Sequence, residues 1–227
     1  MDYKINYSSI IDPLILSAKT IGVNFILFIF LGTYLAFLLS KKDFRFKWLL
    51  NTVVTLPLIF PPIAIGFFLL LLLGRNGFIG AFFYNYDISF IFSFKALVLA
   101  GFIAGLPLMV KPLQSAIEQF PKNIKEAAYL SGKSRLKTLI YIIIPSIKKS
   151  LLACLIIACA RSLGEVGITL MLGGNIIGKT DTISLAIYNA VFDGDYNLAL
   201  ILSAILVLIS LIFFILLNFL QKKQTNL

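Results

Sequence analysis

Arg161 and Glu165 stand four residues apart inside an otherwise apolar stretch, a spacing that sets them on one face of a helix as an ion pair. A lone charge at mid-bilayer costs about 3 kcal/mol on insertion scales, so the pair must face protein or water rather than lipid. Two roles are open to it: shaping a polar path or its gate, or locking helices together. An anion would be drawn to Arg161 but repelled by Glu165, so tight anion binding at the pair is not expected. A second constellation, Gly173-Gly174-Asn175-Ile176-Ile177-Gly178-Lys179-Thr180, fits the phosphate-loop formula Gly-x-x-x-x-Gly-Lys-Thr. That formula works only between a strand and a helix of a soluble α/β domain, and here an apolar span precedes it. The expectation is an outer mouth without nucleotide, with Asp181, Asp193 and Asp195 near enough to touch a docking protein. Cys154 and Cys159 lie in an apolar run without metal-ligand company and are expected only to pack. The chain has no histidine, which excludes a His general base and a His-bearing zinc site. No catalytic or metal site is expected.

The elements that must position these residues follow from composition. Of 227 residues, 59% are hydrophobic and 13% charged, against about 45–50% and about 25% in soluble domains. Such a chain is an integral membrane protein, all-α and polytopic, forming one transmembrane domain over 1–227. Five apolar stretches are long enough to span: 14–39, 48–73, 88–110, about 150–172, and 196–220. A further stretch, 183–192, is too short and reads as a re-entrant or surface piece. The first is too long for a signal-peptide core, and Asp2 and Asp12 precede it rather than a basic cluster. Pro57, Pro61 and Pro62 remove amide donors from the second span, which must bend or unwind there. A fixed kink is favoured over a carbonyl-lined path, with Thr55 as a further candidate lining group. Gly101 and Gly105 form a Gly-x-x-x-Gly pair in the third span that suits close helix packing.

Orientation comes from the cations. One side collects Lys41, Lys42, Arg45 and Lys47, eight more between residues 111 and 149, and Lys222 and Lys223, fourteen of the 20 Lys and Arg. The other side has Lys4, Lys19, Arg75, Lys95 and Lys179. The richer side is cytoplasmic, so the N-terminus lies outside and the C-terminus inside. The net charge of +10 is therefore a topology signal, and nothing resembles a nucleic-acid surface.

The segment 111–149 is cytoplasmic by this argument and longer than a connection needs. Pro121 suits the first turn of a helix and Gly132 its stop, with the small Ala127 and Ala128 between them. Ser134 can cap a second helix running toward Pro145. A compact helix displayed past the membrane is shaped to exchange force with a soluble partner.

Glu126-Ala127-Ala128, Gly132, Ile142 and Ile144-Pro145 resemble the signature of ABC-importer permease subunits, Glu-Ala-Ala, three residues, Gly, nine residues, Ile, one residue, Leu-Pro, with Ile144 for Leu. The proline-rich segment from Thr55 to Gly66 is similar to that of molybdate permeases. So is the run from Arg161 through Glu165 to Thr169, followed by Gly174-Asn175, Gly178 and Thr180-Asp181-Thr182, with Val166 where that family usually has Phe. The resemblance covers about residues 14–215, and sulfate and tungstate permeases share much of it. It implies a type I ABC importer permease fold in the cell inner membrane and a non-catalytic subunit. It further implies two cytoplasmic ATPase subunits and an external molybdate-binding protein. Because five helices are few to enclose a path for a hydrated dianion, a homodimer is expected. ATP and Mg are used on the ATPase, and this chain binds no cofactor. Glu126, Ala127, Ala128, Gly132, Ile142 and Pro145 would couple to the ATPase. Thr55, Pro57, Pro61, Pro62, Arg161, Glu165 and Thr169 form the candidate path or gate. A stand-alone ion-driven carrier is the rival class; it would need several intramembrane ionisable groups, where only Arg161 and Glu165 qualify clearly.

Overall fold

The computed structural model describes residues 7–41 and 44–222. Asp2, Lys4, Lys42 and Lys223 lie outside the described residues. Within them every regular element is helical. The long apolar runs leave the backbone no partner but itself in lipid, and helices satisfy it internally.

Helix α1 spans Ser8–Ser40 and contains one π turn, Phe28–Gly32. Helices α2 (Lys47–Ile59) and α3 (Pro62–Leu73) follow, then a short α4 (Phe78–Tyr84). The central helix is α5 (Phe94–Gln119). Beyond it come α6 (Lys122–Leu130), α7 (Arg135–Ser146) and α8 (Lys148–Leu163). The chain closes with α9 (Gly167–Gly173), α10 (Ile183–Phe192) and α11 (Tyr196–Lys222). Three helices, α1, α5 and α11, are long and apolar enough to cross a membrane alone. Two bent pairs, α3 with α4 at 47° and α7 with α8 at 84°, raise the count to five if each is one crossing.

Three expected spans differ in detail. The second breaks at Phe60–Pro61, where extended backbone separates α2 from α3 and Pro62 opens the new helix. The third begins at Phe94 rather than residue 88, because Asp87 and Phe92 adopt positive φ (58° and 54°) and the Phe92 amide donates to the Leu172 carbonyl at 2.8 Å. It also runs on past Val110 to Gln119, through Lys111 and Pro112. The Lys111 ammonium finds the Asn51 side chain, so that charge does not end the helix. The expected fourth span, 150–172, is two helices: α8 stops at Leu163, and Gly164, Glu165 and Val166 interrupt it before α9.

The core is the contact of α1, α5 and α8. In the most apolar window of α5, 61% is buried, against 6% in α11, which is left at the periphery of the bundle. Phe28, Met109, Leu113, Leu139, Leu155 and Ala158 meet in its largest apolar cluster. The Gly-x-x-x-Gly pair makes the approach possible. A Cβ on Gly105 would lie 2.6 Å from the Ala158 carbonyl oxygen, and one on Gly101 would collide with Ser162 and Asn24. There the Asn24 amide donates to the Ser162 hydroxyl at 2.8 Å, pinning α1 to α8. Ser17 accepts from the Ile183 amide (2.9 Å) and Ser184 donates to the Leu163 carbonyl (2.9 Å), which ties α10 to α1 and α8.

Candidate functional site

The six signature residues occupy a protrusion past the end of α5. At about 1.5 Å per residue the 26 residues of α5 reach about 39 Å, beyond a hydrocarbon core of about 30 Å. The chain turns at Phe120 and Pro121, which have extended ψ, and α6 starts at Lys122. Its stop is a Schellman motif: the Lys133 amide donates to the Ala128 carbonyl (3.1 Å) and the Gly132 amide to the Tyr129 carbonyl (3.0 Å). Gly132 has φ +77°, and a Cβ there would touch nothing. Its backbone conformation, not crowding, is what calls for glycine. Ala128 is buried, whereas Glu126 and Ala127 are exposed and Leu130 is 90% exposed. Ser134 caps α7 by accepting from the Lys137 amide at 3.3 Å.

Ile142 and Ile144 pack half-buried against the main core. Pro145 sits exposed in the last turn of α7, just after a π turn at Leu139–Ile143. Proline has no amide to offer the preceding turn, and a widened turn accommodates that loss. The signature thus divides in two. Its first half is displayed on α6, and its second half anchors α7 to the bundle at the bend into α8.

The second set of predicted residues gathers around two helix breaks that lie side by side. A Cβ on Gly167, at the start of α9, would come 2.9 Å from the Cβ of Pro62 and 3.0 Å from the Ile63 amide nitrogen. A Cβ on Gly66 would lie 2.8 Å from the Met171 Cβ. Helices α3 and α9 therefore touch along their first turns, with Pro62 against Gly167, just past the Gly164–Val166 interruption. Arg161, in the last turn of α8, meets Glu165 at 2.8 Å. Glu165 is 2% exposed, the Arg161 side chain 36%. The other Glu165 oxygen accepts from the Ile168 amide at 2.8 Å and so caps α9. The expected pair forms, but not on one continuous helix: Glu165 lies in the break and clamps α8 to α9. Thr169 is buried one turn further on. Thr55 and Pro57 stand apart on α2, and the Thr55 hydroxyl donates within that helix to the Asn51 carbonyl (2.6 Å).

The segment with the phosphate-loop formula follows a helix, not a strand. Gly174, Asn175 and Gly178 all have positive φ (70°, 52° and 72°). The Thr180 hydroxyl donates to the Gly173 carbonyl and accepts from the Ile176 amide, each at 2.8 Å. The hydroxyl that a phosphate loop would offer to a metal is here used to close the turn. Asp181 is 5% exposed, with one carboxylate oxygen unpartnered, so it does not offer itself to a docking protein as expected. Burial raises its pKa above the ordinary carboxylate value. Asp195 caps α11 through the Leu198 amide at 3.0 Å. Cys154 and Cys159 are free and buried. The Asn24–Ser162 contact carried no signal in the sequence beyond one Asn in an apolar run.

This bundle matches the solved structure of a bacterial ABC transporter involved in the import of the acidic polysaccharide alginate. The TM-score is 0.70 at 15% identity, covering 96% of this chain and 80% of that one. The fold is that of an ABC-importer permease, a polytopic helical membrane protein. The chain belongs to the family described as binding-protein-dependent transport system inner membrane component, whose model matches residues 28–226. Among curated relatives, the molybdenum transport system permease protein ModB of Haemophilus influenzae is 36% identical over 86% of each chain. ModB of Escherichia coli K12 is 35% identical over 79% of each. The sulfate transport system permease protein CysT of Salmonella typhimurium is 29% identical, covering 85% of this chain and 69% of that protein.

Proposed function

We propose that this chain is the permease subunit of a molybdate importer, working as a homodimer with two cytoplasmic ATPase subunits and an external binding protein. The reading rests above all on α6, a short helix with a glycine-defined stop that stands beyond the end of the central span and carries Glu126, Ala127 and Gly132. The names of the ModB relatives favour molybdate; sulfate and tungstate are the competitors to test. The N-terminus lies outside and the C-terminus in the cytoplasm. The chain has no catalytic role of its own, and ATP and Mg act on the ATPase.

In the cycle, closure of the two ATPases draws the two α6 segments together, and the bundles rock so that the outer side opens. Ile142 and Pro145 carry the movement into α8, while Ala128 seats α6. Arg161, Glu165, Thr169, Pro61 and Pro62 border the path or its gate, with Thr55 and Pro57 on the neighbouring helix. Reconstituted vesicles containing the ATPase and binding protein provide the test. Gly132→Asp and Glu126→Lys should leave membrane insertion and ATP hydrolysis intact while abolishing labelled molybdate uptake. Normal uptake by both variants refutes the coupling role. Uptake of molybdate that an equal concentration of sulfate abolishes refutes the substrate assignment.

A further inference from the structure

The central helix carries one cation for which the fold offers no counter-charge. Lys111 lies about 26 Å along α5 at about 1.5 Å per residue, short of the about 30 Å that a hydrocarbon core spans. The helix runs on past it to Gln119. Its half-buried side chain crosses to α2, where the ammonium donates to the side-chain oxygen of Asn51. Among the described residues the ion pair is Arg161 with Glu165, so Lys111 is held by a neutral amide and meets no carboxylate. A charge kept inside a spanning segment faces the bundle or a water-filled cavity, and such residues mark the routes of ions.

The surroundings of Asn51 point the same way. At 3.6 residues per turn, Asn51, Thr52 and Thr55, the uncharged polar side chains of α2, fall within an arc of about 100°. Val54, which is buried in the core, lies outside that arc. The Thr52 hydroxyl donates to the Trp48 carbonyl (2.9 Å) and the Thr55 hydroxyl to the Asn51 carbonyl (2.6 Å), so both protons are spent within the helix. The donors left over are the two N–H groups of the Asn51 amide and the two remaining N–H groups of the ammonium. Among the described residues no acceptor takes them. A tetrahedral oxyanion is the complement of such a set, since it brings negative charge and acceptor oxygens only. We propose that Lys111 and Asn51 form an oxyanion station at the inner mouth of the path, the ammonium supplying the charge and both side chains the hydrogen bonds. The inference rests on the reading of this chain as an oxyanion permease, and it places in Lys111 the net attraction that the Arg161–Glu165 pair lacks. One positive charge against a dianion, on a half-buried side chain, draws the ion inward without trapping it.

Uptake of labelled molybdate into vesicles that hold the permease, the ATPase and the binding protein tests it, beside thermal unfolding of each permease variant in detergent. Lys111→Gln should lower the maximal uptake rate about tenfold, the low end of what a charged cleft gives an arriving counter-ion. The half-saturating concentration, set by the external binding protein, should not move. Lys111→Arg should keep most of the rate. Asn51→Asp separates the charge from the contact: it gives the ammonium a carboxylate, which keeps or tightens the tie between α2 and α5 but cancels the positive charge. Its melting temperature should match or exceed that of the wild type, while its uptake falls as far as that of Lys111→Gln. Lys95→Gln, at the opposite end of α5, should transport as the wild type does. Wild-type uptake by Asn51→Asp or by Lys111→Gln overturns the station and leaves the permease reading in place. An equal loss in Lys111→Gln and Lys111→Arg, or in Lys95→Gln, also overturns it, because the effect would then follow from packing or from overall charge. Failure of the wild-type assembly to take up molybdate, sulfate or tungstate overturns the permease reading and the station together.

Discussion

Replacing Glu165 separates the two bonds that hold the break between α8 and α9. Glu165→Gln keeps an oxygen for the Ile168 amide but removes the charge that faces Arg161 at 2.8 Å. Breaking a fully buried ion pair costs about 3–5 kcal/mol, and an exposed one about 0–1 kcal/mol. Glu165 is 2% exposed but Arg161 retains 36%, so water can take up part of the orphaned guanidinium. The expected loss is about 2 kcal/mol, which for a chain of this size lowers the melting temperature by about 4–8 °C. Glu165→Ala also leaves the Ile168 amide without its acceptor and should cost about 1–3 kcal/mol more. Thermal unfolding in detergent followed by circular dichroism, run on both variants, on Arg161→Gln and on the double variant Arg161→Gln/Glu165→Gln, closes the cycle. The double variant should be more stable than the summed losses predict. Additivity within about 0.5 kcal/mol, or equal melting of the Gln and Ala variants, would show that the clamp described here does not hold the break.

Gly105→Ala should lower thermal stability by about 1–3 kcal/mol, since its new methyl meets the Ala158 carbonyl at 2.6 Å. Gly22→Ala, where a Cβ meets nothing within 4 Å, should cost nothing; equal melting of the two variants would remove the close-packing role of the pair. Asp181→Asn should stabilise the protein most at high pH. Burial holds the Asp181 pKa above its unfolded value of about 4, so the folded state binds the proton more tightly and wild-type stability falls as pH rises through that raised value. Melting curves at acid and neutral pH should show the variant's advantage growing with pH, and a constant advantage refutes the assignment. At Gly132, with φ +77°, alanine should weaken transport coupling through backbone strain of about 1–2 kcal/mol. Asparagine, which tolerates that conformation, should retain coupling in the same vesicle assay, and identical uptake by the two variants argues against strain.

Hydropathy made the membrane class legible, because lipid allows few alternatives to a helix. The same summed hydropathy is blind to breaks. It could not distinguish the run 150–172 from two helices, since Gly164 and Val166 are as acceptable to a spanning window as to a loop. It ended the third span at Lys111 because a lone lysine reads as water-seeking, whereas Asn51 from another helix supplies its partner. Local signals fared better. Pro121, Gly132 and Ser134 act through bonds to near neighbours, so α6 and the start of α7 fall where those residues put them. The burial of Asp181 was illegible because nothing nearby in sequence announces that α10 and its loop fold back onto α1.

The geometry also bears on why a pair of opposite charges is placed at the end of α8. That helix leaves α7 through the 84° bend, and at about 1.5 Å per residue it reaches about 20 Å from Lys148 to Arg161. A rigid rod of that length moves its far end whenever its near end is turned. Glu165 holds both the last turn of α8, through Arg161, and the first turn of α9, through Ile168, while Gly167 sets α9 directly on Pro62. A displacement begun at α6 therefore reaches the two adjoining breaks without crossing a soft joint until Gly164. In the proposed cycle the pair acts as a transmission between the handle and the path, and its opposed charges leave no net attraction to hold a passing dianion there. That arrangement suits a subunit whose task is to move an ion rather than to select it.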